Sequence, residues 1–435
     1  MKRTLIETIT KKNFKIHEDN LEVKLQGWVH RVRKMKSVVF IILRDRTGLV
    51  QLTISPSLFE QYDIQNESVI EVTGEIVNSN NKISAYELRV SEIDLLCSTP
   101  EELPVQVNAD QLNISLDTLL NHRVLTLRHP AEAAIFKIQA ALTEGFSIFL
   151  RKESFTEIRT PKLVKEGAEG GSNVFQLNYF DQMAYLAQSP QFYKQMMVAS
   201  GFERVFEIGP VFRAESHSTS RHLNEYVSLD LEMGFITSEN ELMELETNLL
   251  KCMIEHVQSI CSKELETLNV TLPIIPDSIP SMKLSEAIEI LKHKYEKTEL
   301  EGDLDPEGEK LIAKHVLEET GSDFLFLTHY PQSKRPMYTM PCGEYETHSF
   351  DLLYKGLEIT TGGLRIHQTK MLIENMIKKG LKPESYTSYI QTFTYGAPPH
   401  GGLAIGLERL TAQLLGFSNV RRTALFPRDC SRLTP

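Results

Sequence analysis

Apolar and polar residues alternate in short runs between residues 21 and 95, which is the pattern of half-buried β-strands. The runs LEVKLQGWVH, VVFIILRD, LVQLTI, SVIEVTGEIV and AYELRVSEI are set apart by turn signals such as DRTG and NSNNK. Five short strands within this length predict a small β-barrel.

The outer face of this barrel carries a candidate binding surface. The DRTG turn sets residue 42 opposite residue 51, so Phe40 and Gln51 share one face. An aromatic side chain near Arg33 and the basic run RVRKMK offers a surface on which nucleic-acid bases stack. We therefore expect a barrel of the oligonucleotide-binding (OB) type. A β-barrel without a ligand is the alternative on the strand pattern alone.

The remainder of the chain mixes strands with helices. Helical periodicity begins near Pro130, and strands dominate from 174 to 235. Helices are predicted over 239–263 and 284–320, and strands return in HSFDLLYKGLEITTGGLRI. Because these elements do not follow a regular βαβ spacing, they favour an α+β domain with an antiparallel sheet flanked by helices.

The polar, proline-bearing segment STPEELPVQVNAD separates the two patterns and is predicted to be a linker. The predicted organisation is therefore an OB-type barrel over residues 1–100, a linker over 101–128 and an α+β domain over 129–435, with a helical insertion at 240–330.

The net charge of −11 disfavours a nucleic-acid partner for the chain as a whole, but the charge is unevenly distributed. Residues 1–100 hold 14 Lys and Arg against 13 Asp and Glu, so the excess of negative charge lies in the later residues. A locally basic stripe on an acidic protein can still bind a polyanion, because the electrostatic field at the binding surface matters more than the net charge of the chain.

The cysteines are odd in number, and no two of them form a C-x-x-C pair. This argues against a disulfide framework and against a structural zinc site. The N-terminal sequence has no apolar core of a signal peptide, and we see no apolar run of membrane-spanning length. We expect a cytoplasmic protein without a membrane partner.

The stretch VFRAESHSTSRHLNE (211–225) joins two apolar runs and predicts an antiparallel hairpin. Strand periodicity places four polar side chains on one face of the second strand: Tyr226, Ser228, Asp230 and Glu232. Carboxylates on a packed face need cationic partners, which Arg213, Arg221 and His222 could supply. The same cations could instead grip phosphates. A salt-bridged surface hairpin is the alternative.

A second cluster lies in LEITTGGLRIH, where Glu358 and Thr361 offer the oxygen ligands that Mg²⁺ prefers. On a regular strand these two side chains face opposite ways, and the Gly362–Gly363 pair permits the bulge that would bring them together. Arg365 could form a bidentate pair with a carboxylate.

Two further segments are suited to phosphate and substrate. In PPHGGLAIGLERL, Arg409 lies near the start of a helix, where the helix terminus and the guanidinium both favour phosphate. The glycine-rich loop EGAEGGSNVF carries Glu166 and Glu169 and is suited to closing over a substrate. P-loop, Rossmann and G-x-S-x-G motifs are absent from the sequence.

The segments FTEIRTPKL, FRAE…RHLNE and GLAIGLERL resemble, in order and spacing, the three signature motifs of class II aminoacyl-tRNA synthetases. QSPQFYKQ, RHLNEYVSLDLEM, GLEITTGGLRIHQ and LFPRDCSRLTP are similar to aspartyl-tRNA synthetases of the archaeal type. The resemblance runs from the barrel to the last residue. It implies ATP-dependent formation of aspartyl-adenylate, with Mg²⁺, and transfer of the aspartyl group to the 3′ end of tRNA(Asp). It also implies a homodimer, through FTEIRTPKL.

The resemblance further implies roles for individual residues. Catalytic roles would fall to Arg213, Arg409 and Glu358. ATP would be bound by Arg213, Ala214, Glu215, Arg221, His222, Leu223, Tyr226, Glu358, Gly406, Leu407, Glu408 and Arg409. L-Aspartate would be held by Glu169, Gln191, Lys194, Arg213, Asp230, Thr361 and Arg365. Mg²⁺ would be bound by Glu358 and Thr361, and the tRNA anticodon would contact Arg33, Phe40 and Gln51.

Several alternatives stay open at this point. An asparaginyl-tRNA synthetase is disfavoured by Lys194, because a neutral substrate amide would leave this cation unpaired. Thr361 and Leu364 depart from the family's usual Ser and Gln, which would fit a second, diverged copy with altered efficiency or substrate. A paralogue that activates an amino acid without charging tRNA is disfavoured by the retained barrel with Phe40 and Gln51. A non-catalytic RNA-binding protein would leave Glu358, Thr361 and Arg409 without a role. Charging of tRNA(Asn) as well as tRNA(Asp) is a further possibility, which Trp28 weakly disfavours.

Overall fold

The computed structural model describes residues 1–11, 22–100, 102–165, 167, 173–216 and 219–435. Packing divides the chain into two compact units, Met1–His129 and Pro130–Pro435.

The first unit is built around a closed β-barrel. Its strands are β1 (Glu22–Lys34), β2 (Val39–Arg44), β3 (Leu49–Ile54), β4 (Val69–Asn78) and β5 (Tyr86–Cys97), and its helices are α1 (Ile6–Thr10), α2 (Pro56–Phe59), α3 (Leu116–Asn121) and α4 (Arg123–Thr126). The strand order is β1-β2-β3-β5-β4, and β4 pairs with β1 to close the barrel. The predicted five-stranded barrel is confirmed.

Strict alternation explains how each strand contributes to this barrel. In β3, Val50, Leu52 and Ile54 are buried in the core, while the residues between them are half-buried on the outer face. The DRTG turn pairs β2 with β3 so that Ile42 lies opposite Gln51, as predicted. Local periodicity and turn chemistry therefore suffice to set this register.

The second unit contains nine of the helices among the described residues and the other strands. Its helices are α5 (Pro130–Lys152), α6 (Gln191–Met197), α7 (Glu239–Ile260), α8 (Ser262–Leu268), α9 (Leu284–Tyr295), α10 (Pro306–Thr320), α11 (Thr369–Lys378), α12 (Thr387–Thr394) and α13 (Leu407–Leu415). Its strands are β6 (Thr156–Glu157), β7 (Leu163–Val164), β8 (Gln176–Tyr179), β9 (Gln182–Leu186), β10 (Arg204–Phe212), β11 (Glu225–Gly234), β12 (Ser281–Lys283), β13 (Phe324–Thr328), β14 (Pro341–Cys342), β15 (Glu346–Thr347), β16 (Ser349–Tyr354), β17 (Leu357–Arg365) and β18 (His400–Gly406).

An eight-stranded sheet in the order β12-β13-β16-β17-β18-β11-β10-β6 forms the centre of this unit. The six inner strands pair antiparallel, and only the edge strands β12 and β6 pair parallel to their neighbours. The antiparallel α+β architecture expected from the sequence is confirmed.

Helices α5, α7 and α13 cover one face of the sheet. Leu142 of α5, Leu249 of α7 and Leu410 of α13 share a single apolar core with Leu229 and Leu231 of β11. By length and composition α5 would also suffice to cross a membrane, a property that the sequence analysis did not anticipate. Burial of its apolar side chains in this core explains that composition without a bilayer.

Two segments differ in detail from the expected organisation. The predicted helical insertion at 240–330 holds most of α7 and all of α8, α9 and α10, but it also supplies β12 and β13 to the central sheet. The predicted linker at 101–128 contains α3 and α4, and it belongs to the compact unit that ends at His129. The functional domain boundaries stay predictions.

Candidate active site

A cavity of about 630 Å³ lies in the second unit, over the face of the sheet opposite the helical core. Its lining includes side chains from β11, β16, β17, β18 and α13, from the start of α6, and from the connections between β10 and β11 and at 330–339. A polar cavity of this size over a sheet suits a nucleotide or another small charged molecule.

The β10–β11 hairpin forms one wall of this cavity. Tyr226, Ser228 and Asp230 line it, while Leu229 and Leu231 between them are buried in the core behind. The predicted assignment of the two faces is confirmed. The alternative of an exposed, salt-bridged surface hairpin is wrong, because the polar face encloses a cavity.

Cationic side chains from two distant segments meet in the cavity. Arg213 and Arg221 come from the β10–β11 connection and Arg409 from the first turn of α13, and all three line the cavity. The Arg213 guanidinium carbon lies 5.9 Å from the centre of the Tyr226 ring. Arg409 Nε donates to the Arg221 carbonyl oxygen at 3.2 Å, which ties the two segments together.

His222 also lines the cavity, with its Nε2 3.7 Å from Glu215 Oε2. Burial lowers the pKa of His222, Glu215 opposes this shift, and the neighbouring Arg409 adds to it. A phosphate group would reverse part of that shift by adding negative charge beside the ring.

Arg221 forms an ion pair with Glu309 of α10. Burial raises the pKa of Glu309 to about 7, although Arg221 opposes the shift. Near neutral pH the Glu309 carboxyl group is therefore only partly ionised. It competes weakly with other anions for Arg221. No motif in the sequence indicated Glu309.

Glu358 and Thr361 are brought together by a bulge. Leu352 lies opposite Thr360 and Leu353 opposite Glu358, so Ile359 is the extra residue. The Thr361 hydroxyl donates to Glu358 Oε1 at 3.0 Å. A bulge was expected at Gly362–Gly363, and this placement is wrong. The glycine at 362 instead accommodates Phe350, whose ring carbon would lie 2.5 Å from an added Cβ.

Asp351 and Arg335 are cavity residues that the sequence analysis missed. Asp351 lies opposite Thr361 in the β16–β17 register, and Arg335 Nη2 is 2.8 Å from its Oδ1. Burial raises the pKa of Asp351 to about 6, Arg335 opposes the shift, and the negative charge of Glu358 adds to it. The signal available in the sequence was the spacing of two carboxylates across the hairpin turn YKG.

These oxygens form a donor set that fits a hard divalent cation. Burial alone would raise the pKa of Glu358, yet Arg409 and the hydrogen bond from Thr361 hold it below its ordinary value. Asp351 lies opposite Thr361 in the strand register, and the negative charge of Glu358 adds to the raised pKa of Asp351. Two carboxylates and a hydroxyl, open to a cavity, suit Mg²⁺ bound partly by phosphate oxygens.

The predicted amino-acid site centres on a buried charge network. Lys194 is fully buried, with Nζ 2.8 Å from Asp230 Oδ1 and 3.4 Å from Glu232 Oε2. Arg365 Nε lies 3.1 Å from Glu232 Oε1, and Gln191 Nε2 donates to both oxygens of Glu232 at 3.2 Å. Arg365, Gln191 and Asp230 line the cavity, whereas Lys194 lies behind Asp230.

The other predicted ATP-binding residues occupy different depths. Leu223, Gly406 and Glu408 line the cavity, while Leu407 is buried in the core and the Ala214 amide donates to the Asn173 carbonyl oxygen at 3.1 Å. Both carboxylate oxygens of Glu408 accept from the Val227 amide, and burial raises the pKa of Glu408 to about 7. Glu166 and Glu169 lie outside the described residues.

The predicted anticodon residues share one outer face of the barrel. Arg33 of β1 lies opposite Phe40 of β2, and Gln51 of β3 lies opposite Ile42. Gln51 Nε2 donates to Glu87 Oε2 at 2.6 Å, and the Thr53 hydroxyl donates to Glu87 Oε1 at 2.9 Å. Glu87, which the sequence analysis did not single out, therefore orients the amide that would face a base.

Comparison with known families agrees with this architecture. Residues 115–430 match the family described as tRNA synthetases class II (D, K and N). Residues 23–96 match the family described as OB-fold nucleic acid binding domain.

Full-length relatives carry consistent names. The aspartate--tRNA(Asp/Asn) ligase of Deinococcus radiodurans is 45% identical over 443 residues, covering 100% of this chain and 99% of the relative. The enzyme of the same name from Aeropyrum pernix is 45% identical and covers 95% of each chain. The aspartate--tRNA(Asp) ligase of Picrophilus torridus is 42% identical, covering 95% of this chain and 97% of the relative.

Solved structures are similar over nearly the whole chain. The aspartyl tRNA synthetase from Entamoeba histolytica superimposes with a TM-score of 0.87 at 30% identity, covering 100% of this chain and 93% of the other. The asparaginyl-tRNA synthetase from Pyrococcus horikoshii complexed with asparaginyl-adenylate has a TM-score of 0.88 at 28% identity, covering 97% of this chain and 100% of the other. With its OB barrel, its antiparallel sheet and its charged cavity, the chain therefore belongs to the class II aminoacyl-tRNA synthetases, an ATP-using family of tRNA ligases.

Proposed function

We propose that this protein is an aspartate–tRNA ligase, which activates L-aspartate with ATP and transfers the aspartyl group to the 3′ end of tRNA(Asp). The observation that carries the proposal is the meeting of Arg213, Glu358 and Arg409, from three distant segments, in one cavity. The aspartate ligase names of relatives that match over the full chain support aspartate as the amino acid.

In the first step an oxygen of the aspartate α-carboxylate attacks the α-phosphorus of ATP. The bond from that phosphorus to the bridging oxygen breaks, and pyrophosphate leaves. Arg213 would neutralise the α-phosphate as charge develops, and Arg221 and Arg409 would hold the departing phosphates. Catalysis then comes from fixed charges and alignment, because Arg409 is already hydrogen-bonded to the Arg221 backbone before substrate binds.

Glu358, Asp351 and Thr361 would hold Mg²⁺. The ion, when bound, supplies positive charge to the triphosphate. Arg335 pairs with Asp351 and offsets its buried charge, so the chain holds this carboxylate in place before the ion binds. In the second step, the terminal 3′-hydroxyl of tRNA attacks the carbonyl carbon of the adenylate, and AMP leaves.

Recognition of the amino acid would fall to the buried network. Asp230, which lines the cavity, would accept hydrogen bonds from the substrate ammonium group. Arg365 would pair with the side-chain carboxylate, while Lys194 sits behind and compensates the charge of Asp230. Arg365 is already paired with Glu232, so the substrate carboxylate would be its second anionic partner, and this added charge contact would favour aspartate over the neutral amide of asparagine.

Asparagine is the second candidate substrate, because the solved asparaginyl-tRNA synthetase shares the fold at a TM-score of 0.88. ATP–pyrophosphate exchange with L-aspartate and L-asparagine separates the two. We expect the wild-type protein to catalyse exchange with aspartate and the Arg365→Gln variant to lose it. Arg89 is an exposed residue of the barrel, and the Arg89→Gln variant should retain the exchange. Exchange that depends on asparagine alone would contradict the proposal.

We further propose that the barrel binds the anticodon through Arg33, Phe40 and Gln51. The acceptor is tRNA(Asp), and tRNA(Asn) is the second candidate, in line with the names of the D. radiodurans and A. pernix relatives. Aminoacylation of purified transcripts of both tRNAs distinguishes a strict enzyme from one that accepts both.

A homodimer and a cytoplasmic location complete the proposal. The segment FTEIRTPKL includes β6, which is an edge strand of the central sheet with one side open to further pairing. Sedimentation equilibrium should give twice the chain mass of 49.6 kDa, and a mass equal to one chain would contradict the dimer.

A further inference from the structure

A group of metal-binding side chains lies away from the three oxygens proposed for Mg²⁺. The ligand atoms of His329, Cys342 and Glu346 all lie within 4.8 Å of one another. His329 follows β13, while Cys342 and Glu346 lie directly opposite each other in the β14–β15 hairpin, so their side chains share a face. All three are partly exposed to solvent, so an ion can reach them.

The imidazole ring of His329 is oriented by a hydrogen bond that leaves one ring nitrogen available to bind a metal ion. His329 Nδ1 is 2.9 Å from the Thr328 hydroxyl, which itself donates to the Met282 carbonyl oxygen at 3.3 Å. Since the hydroxyl hydrogen is used there, the hydroxyl oxygen accepts from Nδ1–H. This arrangement leaves the lone pair on Nε2.

A fourth ligand, the second oxygen of the set, comes from Glu239 at the start of α7. Glu239 Oε1 is 3.9 Å from His329 Nε2, and Glu239 Oε2 is 3.0 Å from His348 Nδ1. One carboxylate oxygen can therefore bind an ion while the other is held by His348, the arrangement that orients carboxylate ligands in metal sites.

We propose that His329, Cys342, Glu346 and Glu239 form a site for a transition-metal dication, best matched by Zn²⁺. One nitrogen, one sulfur and two oxygens suit tetrahedral zinc, whose ligand atoms lie about 3.3–3.8 Å apart. The present separations require a contraction of about 1 Å, which rotation of partly exposed side chains supplies. Binding replaces the S–H bond of Cys342 by a sulfur–metal bond, and the proton goes to solvent.

The site would fasten the β14–β15 hairpin to the edge of the active cavity. Thr347 of that hairpin donates through its hydroxyl to the Tyr330 carbonyl oxygen at 2.8 Å. Tyr330 lines the cavity and lies 3.8 Å from the guanidinium of Arg335, which pairs with Asp351. Lys283 Nζ is 3.5 Å from Glu346 Oε2, and a dication would outcompete this exposed pair.

Cobalt spectroscopy of the full-length protein tests the proposal, because Co²⁺ bound to a thiolate gives a charge-transfer band in the near ultraviolet. The protein is first treated with a chelator and then titrated with Co²⁺. Excess Mg²⁺ is present throughout, so that it occupies the sites made of hard oxygen ligands. We expect a single equivalent to produce the band and Zn²⁺ to abolish it. Absence of the band in the wild-type protein overturns the proposal.

Matched variants assign the band. Cys342→Ser should remove it, and His329→Gln should weaken Zn²⁺ binding by about tenfold or more in competition with a chromophoric chelator. Cys430→Ser and Cys97→Ser change exposed cysteines outside the cluster and should keep both properties. Circular dichroism of the metal-free variants establishes that they are folded. A band that persists in folded Cys342→Ser also overturns the proposal. ATP–pyrophosphate exchange is a separate readout, so failure here leaves the proposed function standing.

Discussion

Arg213 and Arg409 enter the cavity from the end of β10 and the start of α13, and each faces the space where a triphosphate would lie. Arg409 Nη1 is 3.7 Å from Glu358 Oε1, so this guanidinium is held between a carboxylate and the Arg221 backbone. Such preorganised charges act on the transition state without rearrangement during the reaction.

Arg213→Ala and Arg409→Ala should each lower the rate of aspartate-dependent ATP–pyrophosphate exchange by about 100- to 1000-fold, the range for a lost transition-state charge contact. The exposed Arg89→Ala serves as the control and should retain the wild-type rate. Wild-type exchange by Arg213→Ala would exclude its role at the α-phosphate.

Glu246 on α7 is fully buried against the central sheet and is not part of the proposed chemistry. Burial raises the pKa of Glu246 to about 8, the nearby Thr360 hydroxyl opposes the shift, and the negative charge of Asp351 adds to it. The native protein therefore keeps this carboxyl group protonated at a pH where the unfolded chain would release the proton. Its contribution to stability is present below the unfolded pKa and is lost as pH rises towards 8.

In Glu246→Gln this dependence should disappear, since the amide does not titrate. Between about pH 5 and 8, titration of Glu246 should lower the free energy of unfolding of the wild-type protein by up to roughly 1.4 kcal/mol per pH unit. The variant should lack this contribution. Urea unfolding across that range measures the difference. Glu244→Gln, an exposed change on the same helix, should keep the wild-type slope.

At the scale of elements, the β16–β17–β18 sheet depends on close approach at Gly362. A Cβ there would lie 2.5 Å from a ring carbon of Phe350 and 2.9 Å from Leu403 Cβ, both buried. Gly362→Ala should lower the free energy of unfolding by about 1–3 kcal/mol through overpacking.

Thermal unfolding measures this effect. Gly48→Ala is the control, because its Cβ would be 3.7 Å from Ile6 Cγ2, an ordinary contact. Equal stabilities for the two alanine variants would show that the sheet relaxes around the added methyl group.

At the scale of the whole molecule, the proposed function assigns tRNA selection to one compact unit and amino-acid activation to the other. Phe40→Ala on the barrel should weaken tRNA binding by about 1–3 kcal/mol, the contribution of one base stacked on an aromatic ring. ATP–pyrophosphate exchange should be unchanged, because the cavity lies entirely in the second unit.

Aminoacylation as a function of tRNA concentration measures the effect of Phe40→Ala as a higher KM. Ile83→Ala, an exposed apolar residue between β4 and β5, should leave this KM unchanged. Equal loss of exchange and of aminoacylation in Phe40→Ala would contradict the division of labour.

Alternation and turn signals in the sequence were enough to predict the barrel, the pairing of Ile42 with Gln51 and the polar face of β11. These features depend on residues that are only a few positions apart in the sequence, so local periodicity is sufficient to predict them. Spaced motifs also identified Arg213, Glu358 and Arg409 as partners, although their distance along the chain gave no geometry.

Only the tertiary structure decided which distant groups neutralise or approach one another. The bulge at Ile359 and the position of Asp351 opposite Thr361 follow from cross-strand register. Lys194 lies behind the cavity because two buried carboxylates stabilise its charge there. The meeting of His329 with the β14–β15 hairpin likewise depends on strand order. The register between strands that are far apart in the sequence, and the burial of their side chains, are set by the packing of the whole sheet, which no local pattern encodes.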